Sequence, residues 1–362
     1  MSGQYRRIVS LVGENPLPIY MGIVQFLQEG GEAVLVCSSE TKPMAEAVAA
    51  VAQDRGSFSY TRLANPFDPR PTAAVLDGLF AEMPDALLNF TGGTKVMAAY
   101  GLRAWLSAPE RTMYLDEPSK LFRFGNGVEI PLQVRELDID TLCRLHGVKA
   151  GKASHRPQVP YEDLAALVRK HNALPWRQTP HSKETVPWET WREMLSEAGR
   201  AALDGITPQR RNEYFGEKNE WLEEFVRQAM LRLSRDGRIR NVPGSDALLH
   251  ENEVASGVHF FIGGQQFESD VMAVVDTALR YLSVTTDPTE KMNKAKSFEA
   301  MHRARQIGGD MARSCVVSLA PTTSVANARR SVNHARHYLF GAEDLLRWIA
   351  GDGTRLLEFM TE

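Results

Sequence analysis

The densest chemistry in the sequence lies in Asn89-Phe90-Thr91-Gly92-Gly93-Thr94-Lys95-Val96-Met97. Two glycines let the backbone approach a ligand closely. The first turn of a helix offers unpaired N–H groups and a positive dipole end, and Thr91, Thr94 and Lys95 add hydroxyls and a cation. A loop of this make-up suits phosphate. It is neither the Gly-x4-Gly-Lys-Ser/Thr loop of nucleoside triphosphatases nor the Gly-x-Gly-x-x-Gly dinucleotide fingerprint. A Gly-Gly pair before a helix also serves as plain punctuation, so its neighbours must decide.

The elements that position this loop follow from periodicity. Ala86 to Phe90 is an apolar, strand-like run, and Val96, Met97, Tyr100, Leu102 and Trp105 keep helical spacing from Thr94 to Leu106. Upstream, strands at Arg7 to Val12, Ala33 to Cys37 and Phe58 to Leu63 alternate with helices at Ile19 to Gln28, Pro43 to Gln53 and Thr72 to Glu82. A hairpin follows at Arg111 to Phe124. Alternating β and α units predict a mostly parallel sheet with helices on both faces, and ligands bind such sheets beyond the carboxyl ends of the strands. Three polar loops fall there: Gly13-Glu14-Asn15-Pro16-Leu17-Pro18, Ser38-Ser39-Glu40-Thr41-Lys42 and Thr91 to Lys95. Their hydroxyls, amides and lysines suit an anionic ligand with polar ring edges, such as a nucleotide.

With 362 residues, two domains and a connector are expected, and 43% hydrophobic with 24% charged residues is the balance of a soluble globular protein. No apolar run has the length of a membrane span, and the first residues lead into a strand, not a signal-peptide core. The expectation is a cytoplasmic protein with no membrane partner. Cys37, Cys143 and Cys315 match neither zinc-ligand nor disulfide spacing and are expected to be buried thiols. The net charge of −3 hides an uneven distribution. Residues 1–138 carry 12 Lys and Arg against 16 Asp and Glu. From Glu290 to Phe340, Lys291, Lys294, Lys296, Arg303, Arg305, Arg313, Arg329, Arg330 and Arg336 face only Glu290, Glu299 and Asp310. That stretch could meet a phosphate backbone or form a solvated helix surface.

Residues 1 to about 138 resemble the CARF sensor domain, the Rossmann-like module of CRISPR-associated proteins that binds cyclic oligoadenylate. The Thr91-to-Lys95 run is similar to that family's ligand loop, and Gly13-Glu14-Asn15-Pro16 is most similar to members whose sensor is joined to a restriction-type nuclease. The resemblance implies a homodimer holding one cyclic tetra-adenylate across its two-fold axis. Thr91, Gly92, Gly93, Thr94 and Lys95 would line the pocket, with Asn15, Pro16, Ser39 and Thr41 nearby. The domain organisation expected is a ligand-sensing domain at 1–138, a helical linker at 139–210 and a restriction-endonuclease-like α/β domain at 211–362. In the linker, Tyr161 to His171 and Glu189 to Leu203 have helical spacing, and Trp176, Trp188 and Trp191 read as packing anchors between domains.

From Asn219 onward a strongly amphipathic helix to Leu233 precedes strands at Val258 to Ile262, Phe267 to Val275 and Leu279 to Val284. A helix from Lys291 to Ile307, a strand from Ser314 to Leu319 and a terminal helical region complete the chain. This order resembles the PD-(D/E)XK nuclease core of the same family. There a metal ion, Mn2+ or Mg2+, is held by an Asp on one strand and a Glu on the next, with a Lys two residues later. Asp270 fits the first position and Glu223 the acid that many members add on a helix. Counting across the turn places Ser283 and Thr285 where Glu and Lys are expected. A hydroxyl is a weak ligand for a hard cation, and threonine brings no charge to the developing phosphorane. Glu268 shares a strand face with Asp270 but lies farther along it. Lys291, Lys294 or Lys296 could supply a relocated lysine.

The reading preferred from sequence is a type III CRISPR accessory protein that binds cyclic oligoadenylate and couples it to a degenerate nuclease domain. That domain would bind single- or double-stranded nucleic acid or a protein partner. The alternative is a ligand-activated, metal-dependent endonuclease using Asp270, Glu223 and a relocated Lys291 or Lys294. A third is a ring nuclease that degrades the cyclic ligand, for which the three loops offer no histidine as base.

Overall fold

The computed structural model describes residues 4–133, 137–153, 156–173, 188–236, 253–262 and 264–361. The chain forms two compact units, residues 1–149 with 309–311, and residues 150–308 with 312–362. No helix among the described residues is long and apolar enough to cross a membrane.

The first unit opens with the alternation read from sequence: β1 (Tyr5–Leu11), α1 (Leu17–Phe26), β2 (Leu27–Cys37), α2 (Lys42–Val51), β3 (Gly56–Arg62), α3 (Pro69–Glu82), β4 (Leu87–Asn89) and α4 (Lys95–Ala104). It continues through β5 (Thr112–Asp116), β6 (Leu121–Phe124), β7 (Glu129–Pro131) and α5 (Ile139–Leu145). The sheet order is β3-β2-β1-β4-β5-β6-β7, with β1 to β5 parallel and β6 and β7 antiparallel. Ile8 to Leu11 are all buried, as befits a strand covered on both faces. Val9, Leu11, Val34, Val36 and Leu88 pack with Leu76, Met97 and Trp105 on one side of the sheet. Ile8, Ala33 and Leu35 alternate with them along the strands, and Phe26 of α1 meets the Phe122 ring edge-on at 4.9 Å. The chain moves outward from β1 through β2 to β3, then crosses back to β4 on the other side of β1. The switch point therefore lies between β1 and β4, directly below the loops after each.

The second unit contains β8 (Lys149–Ala153, whose first residue belongs to the first unit), α6 (Tyr161–Ala173), α7 (Trp188–Met194), α8 (Glu197–Ala201), α9 (Pro208–Asn212) and α10 (Glu220–Arg235). It continues with β9 (Val254–Ile262), β10 (Gln265–Val275), β11 (Ala278–Thr285), α11 (Glu290–Gly308), β12 (Arg313–Ser318), α12 (Thr322–Val332), β13 (His337–Phe340), α13 (Ala342–Ile349) and α14 (Thr354–Thr361). The sheet order is β13-β12-β11-β10-β9-β8. β9, β10 and β11 are antiparallel neighbours, whereas β11, β12 and β13 run parallel. Asp276 and Thr277, both at positive φ, make the tight turn between β10 and β11. The apolar face of α10 (Trp221, Leu222, Phe225, Val226, Met230) packs into one core with Val271, Ala273, Leu282, Val317 and Phe340.

Three stretches differ from the sequence expectation, the first being β8, a strand at the edge of the second sheet where a helical linker is expected. The single helix expected over Glu189 to Leu203 is broken at Leu195-Ser196, because Ser196 caps a new helix by accepting from Gly199 N. The terminal helical region encloses a strand, β13, which parallel pairing with β12 holds extended. Trp191 stacks on Phe215 at 5.5 Å within the core of the second unit. Trp176 lies outside the described residues. All three cysteines are free and buried, as expected.

Candidate ligand cleft and carboxylate cluster

The loops after β1, β2 and β4 converge on one cleft of about 420 Å³ at the carboxyl end of the first sheet. Asn15, Thr41, Thr91, Gly92, Gly93 and Thr94 line it. Close backbone packing explains the glycines. A Cβ on Gly92 would stand 2.3 Å from Leu11 O, and one on Gly13 would stand 2.8 Å from Gly93 N, so the two loops touch main chain to main chain. Gly93 has a φ of +77°, which L side chains rarely adopt.

The hydroxyls expected to face a ligand are largely engaged within the loops. Thr91 Oγ1 donates to Asn89 Oδ1 at 2.7 Å and accepts from Leu115 N at 2.8 Å, tying the loop to β5. Thr94 Oγ1 donates to Pro66 O at 2.8 Å and accepts from Met97 N at 3.2 Å, capping α4. Thr41 Oγ1 accepts from Ser38 N at 3.0 Å. Asn15 Oδ1 accepts from Leu17 N at 3.2 Å, and its amide donates to Glu117 Oε1 at 3.4 Å. These bonds fix the cleft walls. With Met97 N taken by the Thr94 cap, what they leave for a ligand is the N–H groups of Lys95 and Val96 at the start of α4, which no helix can satisfy internally.

Three expected residues do not line the cleft. Pro16 is buried at the start of α1, Ser39 is exposed beside Ser38, which does line it, and Lys95 is exposed on the first turn of α4. The lining also includes Glu14 and Glu40 of the first two loops, and Glu117, Pro66 and Phe67, which the sequence reading passed over. Phe67 is 66% exposed, a large ring at the cleft mouth. Its signal was an aromatic in the turn-forming run Asn65-Pro66-Phe67-Asp68, next to the third strand's carboxyl end. The carboxylates can accept from exocyclic amino groups or ribose hydroxyls, whereas the α4 N–H groups suit phosphate.

The second cluster lies in the second unit. Pairing of Val271 with Leu282 sets Asp270 opposite Ser283 on the neighbouring strand. Asp270 Oδ2 accepts from Ser283 Oγ at 3.1 Å and from Val284 N at 2.6 Å. Thr285 turns to the following loop, its hydroxyl accepting from Asp287 N at 3.2 Å. Glu223 on α10 is buried, and its carboxylate pairs with the Arg156 guanidinium. Arg156 Nη2 lies 3.5 Å from Glu268 Oε1 and Nε lies 4.0 Å from Glu220 Oε2. Arg210 grips Glu220 at 2.8 and 2.6 Å. Burial pushes the Glu223 carboxyl well above the usual carboxylate range, and the Asp270 charge adds to it, against the pull of Arg156. Burial also raises Asp270, opposed by the Val284 N–H, Lys296 and the Ser283 hydroxyl. Lys296 is thus the lysine of α11 whose charge reaches Asp270. Lys294 is paired with Glu290 at 2.5 Å, and Lys291 is exposed.

This donor set does not fit a divalent ion. One Asp270 oxygen already takes two hydrogen bonds, Glu223 faces a guanidinium, and the residue opposite Asp270 on the neighbouring strand is Ser283, not an acid. Among the described residues no group of three His, Cys, Asp or Glu side chains is placed to hold a metal. The basic stretch is likewise partly committed: Arg303 lies over the Phe267 ring at 4.1 Å, Arg329 donates to Leu339 O at 2.8 Å, and Lys296 pairs with Glu299 at 3.9 Å.

Neither a protein-family model nor a curated protein sequence matches the chain. Solved structures do. Can2 from Sulfobacillus thermosulfidooxidans in complex with cyclic tetra-adenylate superposes with a TM-score of 0.69 at 17% identity, over 96% of this chain and 96% of that one. Protein VC1899 from Vibrio cholerae gives 0.71 at 14% identity, over 98% of both chains. The chain has their fold. A type III CRISPR defence DNA nuclease activated by cyclic oligoadenylate gives 0.56 at 18% identity, over 88% of this chain and 46% of that one. The α/β fold class implied by the sequence resemblance is the one observed.

Proposed function

We propose that this chain is a cyclic-oligoadenylate receptor of type III CRISPR defence, with residues 1–138 as the sensing domain, 139–210 as linker and 211–362 as a nuclease-like domain that has lost its metal chemistry. The observation that carries the reading is the meeting of the Gly13, Ser38 and Thr91 loops in one cleft at the β1/β4 switch point. Likeness of fold to a protein solved with cyclic tetra-adenylate supports it. Cyclic tetra-adenylate is the proposed ligand, shared by two copies of the chain across a two-fold axis, so that each loop serves twice. Its phosphates would meet the α4 N-terminus and Lys95, and Glu14, Glu40 and Glu117 would accept from base and ribose donors. Phe67 would stack on an adenine. Ligand binding would act on the second unit only through a difference in affinity between two conformations.

Calorimetric titration of the protein with cyclic tetra-adenylate tests this. Saturable binding at one ring per two chains is expected, and Phe67→Ala should weaken it about tenfold, the order of one lost base-stacking contact. Absence of binding to cyclic rings of any size would refute the receptor. The pull of the Lys296 charge on the Asp270 carboxyl favours a second reading, a residual ligand-activated nuclease. Cleavage of single-stranded or supercoiled nucleic acid with Mn2+ or Mg2+, lost in Asp270→Asn, would establish it.

A further inference from the structure

Arg156 is the least expected member of the carboxylate cluster. It comes from the region expected from sequence to be a helical linker, yet its side chain is only 5% exposed. Its guanidinium is shared among three acids on two elements, Glu220 and Glu223 of α10 and Glu268 of β10. Its charge also reaches Asp270. The backbone makes room for it. Gly257 of β9 has a φ of +63°, and a Cβ there would stand 2.6 Å from Nη2 and 3.1 Å from Cζ, so any side chain would push the guanidinium out. Nε and Nη1 have no hydrogen bond of good geometry among the described residues. Charge and shape, more than a matched fork of hydrogen bonds, keep the group in place.

We infer that Arg156 is the resident cation of this cluster, seated where a divalent ion would be drawn, so that the cluster holds a guanidinium in place of a metal. The inference rests on reading the second unit as a nuclease-like scaffold and is independent of the ligand cleft. Four carboxylates meet two guanidiniums here, Arg156 and Arg210. Taking away one guanidinium leaves buried negative charge that a hard cation with oxygen ligands can neutralise.

Titration of the full-length protein with Mn2+, followed by electron paramagnetic resonance without nucleotide, tests the inference. The unaltered protein should show no Mn2+ site that Asp270→Asn removes. Arg156→Gln should gain a site about tenfold tighter or better, the double variant Arg156→Gln/Asp270→Asn should lose it, and Arg156→Lys should stay closed to metal. An Asp270-dependent Mn2+ site in the unaltered protein overturns the inference and needs no Arg156 variant to be folded. A folded Arg156→Gln that binds Mn2+ no better overturns it equally. In the unaltered protein, an Asp270-dependent Mn2+ site without cleavage would defeat this inference alone, whereas Asp270-dependent cleavage would defeat the proposal that the nuclease chemistry is lost.

Discussion

Thr91 lines the cleft, and its hydroxyl is also engaged within the fold. Its type and place suggested a ligand hydroxyl, but it donates to Asn89 and accepts from Leu115 N, stitching β4 to β5. Thr91→Val should leave Leu115 N without its acceptor, while Asn89 Oδ1 keeps the Thr91 N–H, and cost about 1–3 kcal/mol in urea unfolding. Gly92→Ala should cost at least as much, because the new methyl meets Leu11 O and the strand and loop must part. Asp270 makes a prediction with the opposite sign. Its folded-state pKa is raised, so its contribution to stability is full below the unfolded value near 3.8 and is lost as pH rises through the folded value. Asp270→Asn should therefore match or exceed the parent's melting temperature at pH 8, with the gain vanishing toward pH 4. A lower melting temperature across that whole range would show that the ionised carboxylate is stabilising. A sequence displays which groups can form hydrogen bonds; it does not display which of those bonds are already taken.

At the scale of elements, buried polar side chains decide where helices stop and strands dock. Asp163 of α6 is buried and accepts from Ser196 N at 3.0 Å and Ser196 Oγ at 2.6 Å, anchoring the break between α7 and α8. Asp163→Ala should strip both partners and lower stability by about 1–3 kcal/mol, read by chemical denaturation. The break was illegible in sequence because the apolar spacing from Glu189 to Leu203 runs on through it, and the carboxylate that fixes it is more than thirty residues away. β13 was missed for a like reason: four residues extended only by a parallel neighbour have no pattern of their own. His337 on that strand is buried against Ser314 Oγ at 2.8 Å, and burial brings its pKa down to about 4. A depressed folded value gives stability that is present above the unfolded value of 6.5 and lost as pH falls through 4. The loss should reach up to about 3 kcal/mol. His146, also lowered to about 4 by burial, adds its share, so His337→Gln should flatten only part of the slope in acid unfolding.

At the scale of the whole molecule, the proposal requires two copies for one ring. Light scattering should give the mass of a dimer, and a monomer that binds cyclic tetra-adenylate one to one would refute the shared cleft. The sequence by itself determined the order of strands and helices from β1 to β6, the three loops that meet in one cleft, and the presence of Ser283 and Thr285, neither acidic nor basic, at the end of β11. These are legible because periodicity and turn residues act over a few neighbours along the chain. Only the tertiary structure decided that Thr91 and Thr94 support the cleft through their own hydrogen bonds, and that acidic side chains and Phe67 complete its lining. It alone brought Arg156 among Glu220, Glu223 and Glu268, groups as far as 112 positions apart. Burial and charge act through space, and no local pattern records which distant side chain will arrive to balance them.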